Sequence, residues 1–525
     1  MLHSKTCVGG MVTAPHHLAA QAGAAVLREG GNAVEAMVAA AAAIAVVYPH
    51  MNGIGGDGFW IISEPGREPV AIQACGPSAG LADRQFYAGE QSIPTRGARA
   101  ALTVAGAVSG WSVALEHASR WRKALPVARL LSDAIGHAKA GVPITRSQVQ
   151  LTRDKWSQLS DQPGFVDTYA HGGVPSEGDI LKQPALASTL ERMAHAGLDD
   201  FYRGDLAQTL TSGLERLGSP LRAADLATYR AQIVAPLKVQ LRSGSVYNLP
   251  PPTQGVSALM IIGLFDRLGV TEADGFAHIH GLVEATKRAF ILRNAHVSDP
   301  AHMSVNAGDW LKEALLDSEA AYIRSDMAAP WPHPAKPGDT IWMGAADAQG
   351  RVVSYIQSIF WEFGSGVVVP DTGVVWQNRG ASFSLDDGVN QLLPGKLPFH
   401  TLNPSLAKLN DGRTIAYGTM GGEGQPQTQA AVFTRHVLFG QNMQRAVSAP
   451  RWLLGRTWGD VSTNLKVEGR IDPETILALR RAGHEVEVVD DYTDMMGHAG
   501  VVAVHPNGMI EGATDPRADG VCAGV

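Results

Sequence analysis

The chain has 525 residues, 45% hydrophobic and 18% charged, with a formal net charge of −7. That balance supplies apolar material for a large core and lacks the basic excess of a nucleic-acid binder or a polybasic membrane-surface protein. Its three cysteines, Cys7, Cys75 and Cys522, are far apart and odd in number, which implies neither a disulfide framework nor a CxxC zinc site. The first ten residues, MLHSKTCVGG, lack the basic-then-apolar pattern of a secretory signal. The longest apolar run, Ala36 to Tyr48, is too short to cross a bilayer. A cytoplasmic protein is the expectation.

In chain order, Leu18 to Glu29 reads as a helix stopped by Gly30 and Gly31. Asn32 then caps a second helix, with Glu35 in the capping-box position. That helix is apolar all round, hence buried, and ends near Tyr48 because Pro49 disfavours helix before it. Gly53, Gly55 and Gly58 match GxGxxG, but the loop leaves a helix and enters the strand Phe59 to Ile62. A dinucleotide fingerprint has the reverse context, so a tight, closely packed turn is expected. Residues 100 to 330 read as mainly helical. Ala185 to Ala196 and Ala277 to Ala295 are the clearest periods, and Pro250-Pro251-Pro252 is a rigid connector between them. Beyond 340, Ile341 to Ala346 and Val352 to Phe360 form a hairpin across Asp347-Ala-Gln-Gly350. Val367 to Val369 and Thr414 to Gly418 are further strands, the last running into Met420-Gly421-Gly422-Glu423-Gly424. Helix-rich first and strand-rich second, the chain reads as mixed α+β layers rather than a wound parallel sheet.

Residue types alone leave the chemistry open. Ser, Thr, His and Asp are plentiful, and the absence of GxSxG and HExxH removes two hydrolase classes. Pro337-Gly338-Asp339-Thr340 is a turn followed by a hydroxyl residue that opens a strand, a common arrangement without catalytic meaning of its own.

A run of ordered motifs resolves this by resemblance. Gly30-Gly31-Asn32-Ala33-Val34-Glu35-Ala36 and Gly53-Ile54-Gly55-Gly56-Asp57-Gly58-Phe59 resemble the N-terminal signature of the γ-glutamyltranspeptidase family. Phe201-Tyr202-Arg203-Gly204, Asp225-Leu226 with Tyr229, the proline run, and Glu284-Ala285 with Arg293 and Asp299-Pro300 continue the match. Ala449-Pro450-Arg451 and Asp515-Pro516-Arg517 extend it almost to the C-terminus. The resemblance implies a four-layer α-β-β-α sandwich of the N-terminal-nucleophile hydrolase type. It implies self-cleavage between Asp339 and Thr340 into residues 1–339 and 340–525, which stay together as one intertwined α/β heterodimer; two such heterodimers could pair. Thr340 becomes the nucleophile and its freed α-amine the base. Gly421 and Gly422 fall where the family's glycine pair offers backbone N–H groups to the oxyanion. Ser358 stands for a threonine hydrogen-bonded to the nucleophile. No metal or organic cofactor is implied.

The substrate pocket departs from the family. Phe360 stands for an asparagine, Arg379 for a glutamine, and Ser382 for the aspartate that holds the substrate's α-ammonium. His400 and Thr401 replace a serine pair. The stretch that carries the family's carboxylate-clamping arginine here reads Gln73-Ala74-Cys75-Gly76-Pro77. Losing a carboxylate and gaining a guanidinium favours an anionic acyl group without an α-amine. The profile resembles the oxamate amidohydrolase branch, linked to purine-nitrogen catabolism, with a small-molecule amide as partner and neither nucleic acid nor membrane. Alternatives stay open. Arg379 could be a structural ion-pair arginine, His400 a loop cap, and Arg84 the clamp. A γ-glutamyl hydrolase or transferase would need Glu362 or Glu423 in place of the lost aspartate. A non-catalytic binding relative and an acylase for larger substrates complete the set.

Overall fold

The computed structural model describes residues 3–122, 124–333, 338–455 and 462–525. The N-terminal helices form as the sequence dictates. His17–Arg28 is followed by Ala33–Val47, whose fifteen residues are all buried. Its capping box is complete: the Asn32 side chain accepts from the Val34 and Glu35 amides, and the Glu35 carboxylate accepts from Asn32 N–H at 2.8 Å. The expected helices at Pro184–Ala196 and Phe276–His296 are present.

Two seven-stranded antiparallel sheets make the centre. The sheet that carries Thr340 runs in the order Val521–Gly524, Gly10–Ala14, Asp339–Asp347, Val352–Phe360, Asp57–Ser63, Val70–Ala74, Gln232–Val234. The facing sheet runs Lys5–Cys7, Ile510–Thr514, Gly500–Val504, Thr414–Gly418, Ser405–Leu409, Gly244–Asn248, Leu237–Leu241. The hairpin expected around 347–350 joins Asp339–Asp347 to Val352–Phe360.

Three separate cores show the layering. Side chains alternate across a strand. In the Thr340 sheet Met343, Val353 and Tyr355 point outward, into a core shared with Ala33–Val47 and its neighbouring helices. Met11, Phe59, Trp342 and Ile356 point inward and meet Tyr247, Leu406, Ala416 and Val502 of the facing sheet. The outer face of that sheet packs Val239, Val246 and Ile415 on the helices Gly255–Phe265 and Phe276–His296. The order is helix, sheet, sheet, helix, an α+β sandwich.

One part of the sequence reading needs amendment. The stretch from 100 to 330 is not only helical, since Gln232–Val234, Leu237–Leu241 and Gly244–Asn248 lie within it. Seven of the fourteen strands in the two large sheets come from before residue 339. Gly10–Ala14 and Asp57–Ser63 flank the 339–360 hairpin on either side, so the two halves of the chain are interleaved. Among the described residues no helix is long and apolar enough to cross a membrane.

Candidate active site

The site lies where the same ends of both sheets meet. Asp339 pairs with Phe360 and Ser358 with Asp57, so Thr340, Ser358, Phe360 and Asp57 share one end of their sheet. They fall on the inward parity of their strands, with Trp342, Ile356 and Phe59. In the facing sheet Ser405 pairs with Tyr417. This brings the loop leaving Gly418, which holds Gly421 and Gly422, beside the segment entering Ser405, which holds His400 and Thr401. Thr340, Ser358, Phe360, His400, Thr401, Gly421 and Gly422 are thus brought to one region, where Arg379 joins them against the Phe360 ring, and these eight and Ser382 are buried.

The register slips between Asp339 and Ile341. Thr340 therefore sits at a bulge, opposite the two residues Ser358 and Ile359, and bulges re-aim side chains at strand ends. Thr340 Oγ1 accepts from Gln425 Nε2 at 3.3 Å. Ser358 Oγ accepts from the Phe360 amide at 2.8 Å. Gly421 has φ +117° and Gly422 φ +51°, a left-handed path open to glycine at little cost. A side chain on Gly422 would also strike the Gly338 carbonyl at 3.0 Å. Gly338 itself is wedged in: a Cβ there would lie 3.3 Å from Gly422 Cα and from the Phe360 ring, and 3.5 Å from Thr401 Oγ1. The segment just before Thr340 thus fills the space that the glycine pair, Phe360 and Thr401 enclose.

Gln254, which the sequence reading missed, ties the glycine pair to the substrate segment. Its amide donates to the carbonyls of Thr401 (2.7 Å) and Gly422 (2.8 Å). Its own carbonyl accepts from Arg293, which also pairs with Glu423 at 2.8 Å. A cavity of about 230 Å³, lined by Arg293, Glu423 and Phe399 among others, adjoins this network.

The polar pocket beyond is unusual for what it lacks. Arg379 is 1% exposed, and its Nε, Nη1 and Nη2 have no hydrogen-bond partner. Its guanidinium stacks 3.8 Å from the Phe360 ring centroid, while Phe360 itself takes φ +83°, a strained value for a bulky residue. Ser382 Oγ, Thr401 Oγ1 and both ring nitrogens of His400 are also buried and unpartnered. Buried polar groups are nearly always satisfied, and here several are not. Burial lowers the Arg379 pKa to about 9, with Asp57 and then Cys75 acting in the opposite direction. Cys75 lies in the stretch Gln73-Ala74-Cys75-Gly76-Pro77, which Arg379 thus neighbours. Burial first, and Arg379 second, push the His400 imidazole well below its usual value, leaving it neutral.

Three other candidates each have a charged partner. Arg84 pairs with Asp387 at 2.7 Å on the exposed surface. Glu362 lies 3.6 Å from Arg96, and Glu423 is held by Arg293. Asp57, quoted from the sequence only as part of a glycine turn, proves to be a fully buried carboxyl inside the pocket. Its signal was a lone acid between glycines and a wholly apolar strand. The turn is as close-packed as expected: a Cβ on Gly56 would meet the Ser358 carbonyl at 2.1 Å.

Among the described residues, His280, Glu284 and His484 form a grouping compact enough for a metal, with ligand atoms within 4.8 Å of one another. Its atoms are already engaged. His280 bridges His484 and the Arg324 carbonyl, and Glu284 takes Lys287 and the Ala329 amide.

The profile described as Gamma-glutamyltranspeptidase matches residues 19–525. The chain is 55% identical, over the full length of both, to the oxamate amidohydrolase proenzyme of Klebsiella pneumoniae. It is 40% identical, over 98% of each, to a glutathione hydrolase-like proenzyme of Bacillus subtilis. The cephalosporin acylase of Bacillus halodurans superposes with a TM-score of 0.91 at 33% identity, covering 100% of this chain and 97% of that one.

Proposed function

Because the chain belongs to the γ-glutamyltranspeptidase family, as an N-terminal-nucleophile hydrolase, we propose that it is a self-cleaving threonine amidohydrolase of a small anionic amide, oxamate foremost. Cleavage between Asp339 and Thr340 leaves residues 1–339 and 340–525 interleaved as one heterodimer. The freed α-amine of Thr340 takes the proton from Oγ1, and Oγ1 attacks the amide carbon. The oxyanion is met by the Gly421 and Gly422 amides; one such donor is worth about 3 kcal/mol. The C–N bond breaks, ammonia leaves with the transferred proton, and water hydrolyses the acyl-Thr340 ester to release oxalate. Ser358 and Gln425 hold Oγ1, while Ser382, His400 and Thr401 line the acyl pocket.

The observation that carries this reading is Arg379. A buried guanidinium with three unmet donors, stacked on Phe360, suits one planar carboxylate next to the scissile amide. The close likeness to an oxamate amidohydrolase supports the same substrate. Glutathione, with its α-ammonium, would meet Ser382 in place of a carboxylate, while the buried acid Asp57 already faces Arg379.

The test compares ammonia release from oxamate with glutamate release from glutathione, using Thr340→Ala as the blank. Oxamate turnover alone is expected, with Thr340→Ala inactive and a single uncut chain by intact mass. A cut Thr340→Ala chain would remove that residue from the mechanism; glutathione turnover would overturn the pocket reading.

A further inference from the structure

We propose that Asp57 is a specificity-determining residue of the acyl pocket, taking up one proton when an anionic group docks on Arg379. The inference rests on the reading that Arg379 receives the substrate's carboxylate.

The geometry is unequal at the two carboxylate oxygens. Oδ1 accepts from the amides of Gly106 (3.0 Å) and Gly76 (3.4 Å) and from Gln377 Nε2 (3.2 Å). Oδ2 is buried without a hydrogen-bond partner and lies 3.5 Å from His400 Nε2, itself unpartnered. One oxygen is thus anchored by the fold, and the other is presented to the pocket.

A charge count makes the proton necessary. Without substrate, one buried cation faces one buried acid. A docked carboxylate would put two anions against a single guanidinium in a region that excludes water. Uncompensated buried charge costs several kcal/mol per ion, so the group protonates instead. His400 cannot carry the compensation, because Arg379 and burial keep it neutral. The other ionisable groups around Asp57 are Cys75, Tyr202, Tyr229 and Tyr355. Burial raises all four, so each already holds its proton at neutral pH. Among the described residues, Arg379 is the cation that acts on Asp57. Burial raises Asp57 to about 7, against the opposing pull of Arg379 and its hydrogen bonds. It is thus poised to change state near neutrality. The proton comes from solvent, forms an O–H bond at Oδ2, and returns when product leaves. A ligand with an ammonium beside its carboxylate would bring its own compensating charge and oppose the uptake. The device therefore favours an anion without an amine.

The probe is lactate, a monoanion of the right size with no carbonyl for Thr340 to attack. Binding to the purified protein is measured by calorimetry at pH 8 in phosphate and in Tris, whose different ionisation heats report proton uptake. Wild type should take up close to one proton and bind about tenfold more weakly per pH unit above 7. Asp57→Asn, which keeps an oxygen for the two backbone amides, should take up none, and its affinity should not change between pH 6 and 8. Arg379→Met should lose lactate in either buffer. Binding through Arg379 without proton uptake in wild type, or equal uptake in Asp57→Asn, overturns the inference and leaves the amidohydrolase reading intact. Lactate binding that survives in Arg379→Met overturns the carboxylate-clamp reading and this inference with it. The wild-type measurement stands even if Asp57→Asn fails to fold.

Discussion

Two buried arginine clusters in this molecule obey opposite rules. In the C-terminal one, Arg451 donates to the carbonyls of Met496, Gly497 and Val447 and to Asp515. Arg517 grips Glu468 through Nε and Nη2 and Asp515 through Nη1. Burial pushes the Asp515 carboxyl up, yet Arg451 and Arg517 more than offset it and hold it below the usual range. Around Arg379 no such pairing exists, although its burial is as complete. The fold leaves only Arg451 Nε unmet in the first pair of guanidinium groups, against all three nitrogens of Arg379. The proposed carboxylate would supply the partner that Arg379 lacks. Burial of charge alone says little about role; the state of its hydrogen bonds separates scaffold from receptor.

The contrast breaks most visibly by mutation. Arg517→Met should leave buried Glu468 with Arg470 and Asp515 with Arg451 as their remaining cations and cost about 3 kcal/mol of stability, read as a large fall in the denaturant midpoint. Arg379→Met should leave that midpoint unchanged or higher, since nothing in the fold relies on its donors. It should raise the KM for oxamate about a hundredfold, equivalent to roughly 3 kcal/mol for charge-assisted bonds. If Arg379→Met destabilised as Arg517→Met does, both clusters would be scaffold. The smallest effect concerns histidines. Burial holds His16 and His484 near a pKa of about 3. An unfolded imidazole gains a proton below about 6.5 while these folded ones do not until near 3. Their contribution is complete above pH 6.5 and shrinks as pH falls, by about 1 kcal/mol each at pH 5.5. Thermal melts from pH 7 to 5 should show it, and His16→Gln should flatten the curve.

Much of this was legible in the sequence, for identifiable reasons. The helix Ala33–Val47 announces itself by cap and composition, and Thr414–Gly418 by its apolar run. Gln232–Val234 and Leu237–Leu241 escaped because they are edge strands with polar outer positions, where alternation with Lys238 and Gln240 looks like any surface segment. The site residues were reached through ordered motifs, and sheet register then brought them together. Asp57 and Gln254 could not be read that way. Their roles come from contacts with residues far along the chain, Gly106 and Gln377 for one and Thr401 and Gly422 for the other. Such contacts have no periodicity.

Gly338 has a consequence for timing. Lodged between Gly422, Phe360 and Thr401, it makes the newly made chain its own first guest. On the proposed cut, every molecule is born shut and opens once, by an event within itself. The lag before activity would then be a fixed interval, indifferent to how much protein is present. Position 338 becomes a clock setting: any side chain there would alter how snugly the plug sits, and so when the enzyme begins to work.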